Sequence, residues 1–271
     1  FYISVKGLKI QSPVYFRSRT INNSFWLNCN KVSQKFLNFM PSLLYWLAKE
    51  KPDLIHAHYG YNGYIILKHA RVFNIPVITN FYGADAYLRS KQKKWANRYK
   101  YLFKNGRAFL VEGNAMKKKL VDLGCPPEKI HIHKLGVNLN NIKLCPRKPG
   151  KTLKLLVCGK IIKKKGIPYA LEILNLINQK QISATLTIVG DSDTNGTMTP
   201  EKNRILETIA KYNLKDKVNI KGFIERDTLS DLLYKHDILL APSVLARNGD
   251  AEGGFPVILT EAAATGMPIA A

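Results

Sequence analysis

Two glutamates near the end of the chain show the clearest pattern for chemistry. Glu252 and Glu261 flank a glycine pair and a proline, just after an apolar run that ends at Pro242. Glycines let a backbone approach an anion, and proline suits a first helical turn, whose unbonded N–H groups attract phosphate. The pattern predicts a diphosphate site, with the two carboxylates on neutral hydroxyls of a sugar and a ribose. Its residues are Gly253, Gly254, Phe255 and Pro256.

A simpler reading of the same segment stays open. An acidic residue near the first turn of a helix stabilises that helix by about 0.3–1 kcal/mol through the helix dipole, without any ligand.

A lysine-rich segment, LKLLVCGKIIKKKGIPYALEILNLI, supplies positive charge after another apolar run. Lys160 and Lys165 lie five residues apart, and two cations at a strand end can hold a diphosphate from both sides. Lys163 and Lys164, between them, are interpreted as a solvated lysine run.

The elements that position these residues follow a regular alternation. Short β-branched apolar runs alternate with helical patterns, which is typical of parallel α/β architecture. Two of the runs end in glycine, at Gly159 and Gly190, where we expect turns at one edge of a sheet. The predicted strands are Asp53–Ala57, Pro76–Phe81, Arg107–Val111, Lys129–Lys134, Leu153–Cys158, Ala184–Val189, Val218–Lys221 and Asp237–Ala241.

The length of the chain and its regular alternation of strands and helices predict two domains. The 271 residues exceed one ordinary domain, and Asn140–Thr152 is rich in proline, lysine and asparagine, as linkers are. We therefore expect an α/β fold of two Rossmann-like domains facing one cleft, spanning residues 1–145 and 146–271. Ligands would bind at the carboxyl ends of the strands.

The apolar runs and the cysteine pattern indicate the cellular compartment. No run approaches the roughly 20 apolar residues that span a bilayer, and the start of the chain lacks a signal-peptide pattern. The four cysteines lie far apart without a CxxC pair, which argues against a disulfide framework and a cysteine zinc site. We expect a cytoplasmic protein with reduced cysteines; they are Cys29, Cys125, Cys145 and Cys158.

Positive charge is concentrated in the first half. Residues 1–145 hold 24 basic and 6 acidic residues, whereas residues 146–271 hold 18 and 13. Residues 89–107 contain eight basic and no acidic residues, interleaved with aromatic side chains at helical spacing. This pattern predicts a basic amphipathic helix whose aromatic stripe packs on a sheet and whose basic face attracts an anionic membrane. The alternative that the basic face of this helix is only solvated remains open. No recognised module supports nucleic-acid binding.

Four motifs in order carry a resemblance to a known family. GKIIKKKG, LTIVGDSD, VNIKGFIERDTLSDLLYKHDILLAPS and GDAEGGFPVILTEAAATGMPIAA resemble the donor domain of the retaining glycosyltransferases of family 4, which have the GT-B fold. PDLIHAHYGYNGYIILKHARVFNIPVITNFYGADAY and NAMKKKLVDLGCPPEKIHIHKLGVN resemble the acceptor domain of that family. The resemblance covers nearly everything from Pro52 onward.

The resemblance implies roles for residues that match the family motifs. Glu252 would contact hydroxyls of the donor sugar, and Glu261 the ribose. Lys160 and Lys165 would neutralise the diphosphate, and Ile224 would meet the base through its backbone. These roles imply retaining, metal-independent transfer without a cofactor. A sugar would pass from a UDP- or GDP-linked donor to a glycan or lipid-linked glycan, in assembly of a surface polysaccharide, lipopolysaccharide or capsule.

In the acceptor half, the resemblance points to four residues. Tyr82 stands where many members have a histidine, which leaves a catalytic role at that position open. Asp85 would either orient a substrate or cap the following helix. These cleft residues are His58, Gly60, Tyr82 and Asp85.

The chain departs from the family in three further ways. Eight residues separate Glu252 from Glu261 where seven are usual, and Lys160 replaces an arginine, giving a point charge instead of a bidentate fork. The resemblance also implies more chain at both ends: a first strand with a glycine-rich loop before Pro52, and further elements after Gly266. We therefore expect both domains to be incomplete relative to the family.

Two alternatives from other classes remain. His56 with His58, and His131 with His133, each alternate on a strand as metal ligands can, which would suit a zinc hydrolase. The basic first half would also suit a non-catalytic module that docks on polyanions or membranes, with binding set by salt and indifferent to the sugar nucleotide.

Overall fold

A computed structural model describes the backbone of residues 2–4, 14–15, 40–192, 198–252 and 254–271. Side chains are described from residue 40 onward within these ranges, except at position 141. Cys29 and Gly253 lie outside the described residues. The chain divides into two compact units, Phe1–Lys134 and Leu135–Ala271, which we call the first and second unit.

The first unit is built on a six-stranded sheet. Its strands are β1 (Tyr2–Ser4), β2 (Val14–Tyr15), β3 (Leu54–His58), β4 (Val77–Asn80), β5 (Ala108–Val111) and β6 (Ile130–Ile132). Its helices are α1 (Pro41–Glu50), α2 (Gly60–Ala70), α3 (Ala84–Tyr87), α4 (Lys93–Asn105) and α5 (Asn114–Asp122). The strand order is β2-β1-β3-β4-β5-β6; β3 to β6 run parallel, whereas β1 is antiparallel to both of its neighbours.

The aromatic stripe of the basic segment faces the core of this unit, as the sequence predicted. Trp95, Tyr99, Leu102 and Phe103 of α4 are buried. The Tyr99 ring centre lies 5.4 Å from that of Phe81, next to the end of β4. The helix begins at Lys93 rather than Arg89, because residues 89–91 form a separate 3-10 turn and residue 92 is extended.

The second unit has a five-stranded sheet in which every pairing is parallel. Its strands are β7 (Leu153–Cys158), β8 (Ala184–Val189), β9 (Val218–Ile220), β10 (Ile238–Leu240) and β11 (Ile269–Ala270). Its helices are α6 (Ile167–Gln179), α7 (Pro200–Lys211), α8 (Arg226–Lys235) and α9 (Val257–Ala264). All eight predicted strands are present, each with ends within two residues of the prediction.

Hydrophobic residues cover both faces of the second sheet. Along β7, Leu155 and Val157 join one buried cluster while Leu156, between them, joins another. Successive residues of a strand point to opposite faces, so the two clusters lie on opposite sides of the sheet. Burial on both faces is the arrangement of a parallel, doubly wound α/β sheet.

The strand order of the second sheet reverses at β7. The order is β11-β10-β7-β8-β9, so the chain moves outward on one side of β7 and then returns to its other side. Such a switch point leaves a crevice at the carboxyl ends of the strands, where ligands of open α/β sheets bind. Here the loops after β7 and β10 touch closely, since a Cβ on Gly166 would lie 1.7 Å from the carbonyl oxygen of Pro242.

The boundary between the units lies earlier than the sequence predicted. It falls between residues 134 and 135 instead of 145 and 146. Part of the predicted linker packs on the second unit, because Arg147 donates to the carbonyl oxygens of Leu233 and His236, at 2.6 and 2.5 Å. The last carbonyls of a helix lack partners within that helix, and Arg147 supplies donors where α8 ends.

Within the described part of the chain, no helix combines the length and apolar character that crossing a membrane requires.

Candidate functional site

The predicted donor residues meet at the carboxyl edge of the second sheet. Lys165 ends a 3-10 turn that follows β7, and Glu252 lies in the loop that leads to α9. The Lys165 Nζ atom is 3.1 Å from Glu252 Oε1, and the two side chains are 19% and 22% exposed. A lysine and a carboxylate from distant parts of the sequence therefore lie next to each other at the switch point.

Lys164 is not solvated, so that interpretation was wrong. Its Nζ atom lies 3.2 Å from Asp250 Oδ1 and 3.3 Å from the carbonyl oxygen of Ala251. The backbone of Lys164 also accepts a bond from the N–H of Val244. These contacts tie the loop that carries Glu252 to the turn that carries Lys165. Because Asp250 is 86 residues away, the local lysine run held no signal for this pairing.

Glu261 lies near the same strand end but has a partner that the sequence analysis missed. Arg226, at the start of α8, donates to Glu261 Oε1. The thiol of Cys158, the last residue of β7, lies close enough to Lys165 and Glu261 for both charges to shift its pKa. Burial raises the pKa of Cys158 to about 11, while nearby Lys165 lowers it and nearby Glu261 raises it. Lys165 and Glu261 therefore both lie close to the end of β7.

The start of α9 differs slightly from the prediction. Pro256 precedes the helix as its N-cap residue, and the helix begins at Val257, so Pro256 does not lie in the first turn. Phe255 is 53% exposed, and Gly254 is half-buried beside it. The unbonded N–H groups of this helix start follow Glu252 by only a few residues, so positive helix-dipole charge lies near the lysine–glutamate pair.

Glycines from neighbouring strands meet at this edge. A Cβ on Gly190, after β8, would lie 2.1 Å from the carbonyl oxygen of Gly159, after β7. Gly190 also donates its N–H to the carbonyl oxygen of Gly222, after β9. The close approach therefore requires glycine at Gly190. Lys160 is exposed just beyond Gly159, and Ile224 packs partly against the hydrophobic cluster that contains Leu156.

The four predicted cleft residues of the first unit come together at the ends of β3 and β4. The His58 Nδ1 atom is hydrogen-bonded to the hydroxyl of Tyr82. Asp85 is 2% exposed, and its Oδ2 accepts the N–H of Gly60 at 2.8 Å. Its Oδ1 accepts backbone N–H groups of its own turn, including that of Tyr82 at 3.0 Å. Asp85 therefore joins the loops after β3 and β4.

Burial shifts the pKa values of two of these residues. The pKa of His58 is lowered to about 4 by burial and by the neighbouring His56. His58 is therefore uncharged near neutral pH and offers a hydrogen-bonding imidazole rather than a cation. Burial raises the pKa of Asp85, and its bonds to backbone N–H groups oppose that rise.

Tyr59 is a feature of this edge that the sequence analysis missed. Its backbone has φ 69° and ψ 137°, a region that non-glycine residues rarely adopt. The side chain is 42% exposed, and its ring centre lies 4.9 Å from that of Tyr82 and 5.5 Å from that of Tyr61. The three closely spaced tyrosines in HYGYNGY were the available sequence signal for this aromatic cluster.

The histidine pairs do not build a metal centre in the part of the chain that the structure describes. The rings of His56 and His58 lie 4.7 Å apart, while His131 and His133 are exposed on β6 and beside it. The described residues hold no group of three or more histidine, cysteine, aspartate or glutamate side chains placed to bind a metal ion. The zinc-hydrolase alternative therefore has no support from geometry.

Two protein-family models match consecutive parts of the chain. The model described as Glycosyltransferase Family 4 matches residues 14–141. The model described as Glycosyl transferases group 1 matches residues 142–271.

Relatives with similar sequences include two proteins of bacterial polysaccharide biosynthesis. The amylovoran biosynthesis glycosyltransferase AmsK of Erwinia amylovora is 30% identical over 228 residues, which are 82% of this chain and 54% of AmsK. The putative colanic acid biosynthesis glycosyltransferase WcaL of Salmonella typhimurium is 28% identical over 244 residues, 89% of this chain and 55% of WcaL. The chain spans about half the length of these relatives.

Solved structures share the fold. HepE of Anabaena, crystallised with UDP and glucose, matches with a TM-score of 0.70 at 15% identity, over 88% of this chain and 63% of HepE. Sucrose-phosphate synthase from Thermosynechococcus elongatus matches with a TM-score of 0.67 at 20% identity, over 83% of this chain and 57% of the synthase. Together with the two family models, these likenesses show that the chain belongs to glycosyltransferase family 4 and has the GT-B fold.

Proposed function

We propose that the protein transfers a sugar, with retention, from a nucleotide-sugar donor to a hydroxyl of a glycan or lipid-linked glycan. The observation that carries this proposal is the pairing of Lys165 with Glu252 at the switch point of the second sheet. A lysine there can bind the diphosphate, and a carboxylate beside it can accept hydrogen bonds from sugar hydroxyls.

The charges at this edge suit a departing nucleoside diphosphate. Lys160, Lys165 and the N–H groups at the start of α9 stabilise the negative charge that develops on the leaving group. We propose that these groups do the work that a metal ion does elsewhere, so that neither a metal nor a cofactor is required. The incoming hydroxyl attacks the same face of the sugar, assisted by the leaving phosphate.

The donor is proposed to carry UDP, with GDP as the alternative. Support comes from HepE, whose structures hold UDP with glucose and UDP-glucose. Glu261 would bind the ribose and Ile224 the base. Since Arg226 already bonds to Glu261, ribose hydroxyls would either share this carboxylate with Arg226 or displace it.

The acceptor is proposed to belong to a surface polysaccharide pathway. AmsK and WcaL are described as biosynthetic glycosyltransferases for amylovoran and colanic acid. Another relative, 24% identical, is an Escherichia coli galactosyltransferase whose described acceptor is a diphosphoundecaprenol-linked sugar. A lipid-linked glycan would place the enzyme at the inner face of a membrane. We propose that His58, Tyr82 and Asp85 of the first unit position this acceptor.

Nucleotide binding tests this proposal. The thermal stability of the protein is measured with UDP, GDP, ADP and CMP. At a 100-fold excess over its dissociation constant, a ligand stabilises the folded state by about 2.7 kcal/mol. We expect a clear shift with UDP or GDP that is lost in Lys165→Met and retained in Lys215→Met, an exposed lysine of another 3-10 turn in the second unit. Absence of a shift with every nucleotide would reject the enzyme assignment.

A membrane partner is supported by one face of α4. Lys93, Asn97, Lys100 and Lys104 recur at intervals of four, three and four residues, so they lie in one stripe along the helix, and all four are exposed. This stripe lies opposite the buried aromatic stripe, and no salt bridge found among the described residues involves its lysines. Rows of lysine on a helix face attract anionic lipid surfaces by about 1 kcal/mol for each lysine.

Vesicle sedimentation tests the membrane proposal. We expect binding to vesicles with anionic lipid, and about 100-fold weaker binding when Lys93, Lys100 and Lys104 are all changed to glutamine. The matched control changes the exposed second-unit residues Lys148, Lys151 and Lys215. Equal loss in both variants would mean that net charge alone sets binding. Salt-sensitive binding to polyanions, without any nucleotide effect, would favour the non-catalytic docking module.

A further inference from the structure

A second pocket opens at the carboxyl edge of the second sheet, beside the lysine–glutamate pair. Its volume is about 290 Å³, and its walls come from the turn after β7, the first turns of α6 and α7, and the loop after β10. The residues that the argument uses are Lys163, Tyr169, Glu201, Arg204, Leu245 and Arg247. None of these residues belongs to the proposed donor site.

The pocket is strongly basic. Lys163, Arg204 and Arg247 are exposed around it, and none of them takes part in a salt bridge among the described residues. Helices α6 and α7 begin at the pocket, so the positive ends of their dipoles add positive potential. An anionic group is therefore the ligand that these walls favour.

The pocket also has features that suit a sugar ring. The Oε1 atom of Glu201 is buried and has no hydrogen-bond partner among the described residues. A buried carboxylate oxygen requires a donor, which a sugar hydroxyl can provide. Tyr169 and Leu245 are 41% and 74% exposed, so they offer apolar surface to the face of a ring.

Two of the walls continue directly into the proposed donor site. Lys163 and Lys165 belong to the same 3-10 turn. Residues 244–247 line the pocket, and the same loop then reaches Asp250, which pairs with Lys164, and Glu252, which pairs with Lys165. A ligand in the pocket would therefore contact the same turn and the same loop that carry Lys165 and Glu252, without contacting these two residues.

From these observations we propose that the pocket binds an anionic sugar, bearing a phosphate or a carboxylate. Lys163, Arg204 and Arg247 hold the charged group, Glu201 accepts a hydroxyl, and Tyr169 packs on the ring. This inference goes beyond the proposed glycosyl transfer, because the pocket residues belong neither to the donor site nor to the first-unit residues that are proposed to position the acceptor.

Calorimetric titration at saturating UDP tests the inference. The probes are glucose 1-phosphate, glucuronate, glucose and inorganic phosphate. We expect one or both anionic sugars to bind at least about tenfold more tightly than glucose or phosphate, because bonds to charged groups carry the recognition. The tighter of the two identifies the charged group. Equal binding of glucose, or displacement of the anionic sugar by UDP, would overturn the assignment.

Variants separate the parts of the pocket. Arg247→Gln should weaken binding of the anionic sugar about tenfold, whereas Lys215→Gln, at an exposed lysine of the second unit, should not. Glu201→Gln should lower the affinity for the anionic sugar relative to the affinity for inorganic phosphate, because it weakens the acceptor of the sugar hydroxyl while it removes repulsion from both anions alike. An unchanged affinity in Arg247→Gln, together with an unchanged ratio in Glu201→Gln, would place the sugar elsewhere.

The same samples distinguish this inference from the proposed function. UDP stabilisation should persist in Arg247→Gln, because Arg247 lies outside the donor site. UDP binding without any binding of anionic sugars would defeat the pocket inference alone. Absence of UDP binding to the unaltered protein would instead defeat the proposed function.

Discussion

The Lys165–Glu252 pair predicts opposite effects for two substitutions on nucleotide affinity. Glu252 Oε1 lies 3.1 Å from Lys165 Nζ, so the carboxylate neutralises the lysine that is proposed to bind diphosphate. Lys165→Met removes a charge-assisted bond worth about 1.5–3 kcal/mol, which weakens UDP about 10- to 150-fold. Glu252→Gln removes only the competitor for the lysine.

The size of the second effect follows from the exposure of the pair. Both side chains keep about a fifth of their surface in solvent, at 19% and 22%, so solvent screens their attraction in part. Ion pairs of this kind contribute about 0.2–1 kcal/mol. Glu252→Gln should therefore leave UDP affinity unchanged or raise it by up to about fivefold, while sugar transfer falls because the sugar hydroxyls lose their carboxylate.

Isothermal titration of UDP and UDP-glucose into the two variants measures these effects. In Glu252→Gln, we expect the affinity difference between UDP and the sugar nucleotide to shrink, while the affinity for UDP itself is unchanged or raised. Lys215→Met controls for the loss of one positive charge. If Glu252→Gln weakened UDP as much as Lys165→Met, the carboxylate would contribute to nucleotide binding directly, and the assignment of Glu252 to sugar hydroxyls would be refuted.

Three further predictions concern stability. Asp85→Asn should cost about 1–3 kcal/mol in urea unfolding, because an amide N–H₂ would face backbone N–H donors, whereas the exposed Asp122→Asn should have little effect. Gly166→Ala should cost more than about 1 kcal/mol, since φ is +63° and the added Cβ would meet Pro242; the open Gly150→Ala is the control, and equal losses would contradict the close approach. Burial lowers the pKa of His236 below 6.5, so the unfolded chain takes up a proton first as pH falls. His236 should therefore lower stability below about pH 6.5 by at most about 1.4 kcal/mol per pH unit, and the measured slope should be smaller in His236→Gln; an unchanged slope would show that His236 does not contribute to it.

Much of the fold could be predicted from local patterns. Each strand of the second sheet is a short apolar run, and in a parallel sheet covered on both faces such runs stand out from the amphipathic helices. The aromatic stripe of α4 could be predicted for the same reason, because helical periodicity places Trp95, Tyr99 and Leu102 on one face. These signals lie within a dozen residues of one another.

Other features could not be predicted from the neighbouring residues in the sequence. The contacts of Arg147 could not be predicted, because its proline- and lysine-rich surroundings gave no sign that its guanidinium would bond to the end of α8. The interpretation of Lys164 failed for the same reason, since Asp250 lies 86 residues further on. The backbone of Tyr59 was also outside prediction, because its φ depends on how the loops after β3 and β4 are held.

The sequence by itself determined the alternation of strands and helices, the glycines at strand ends, the concentration of positive charge in the first half and the candidate donor residues. Tertiary structure decided which charged groups meet. Lys165 pairs with Glu252 because the strand order of the second sheet reverses at β7 and brings the loop after β10 beside the turn after β7. Arg226 with Glu261, and Asp85 with Gly60, are likewise pairs between separate elements. Side-chain pairing depends on which strands become neighbours, and that is a property of the whole sheet rather than of any local segment.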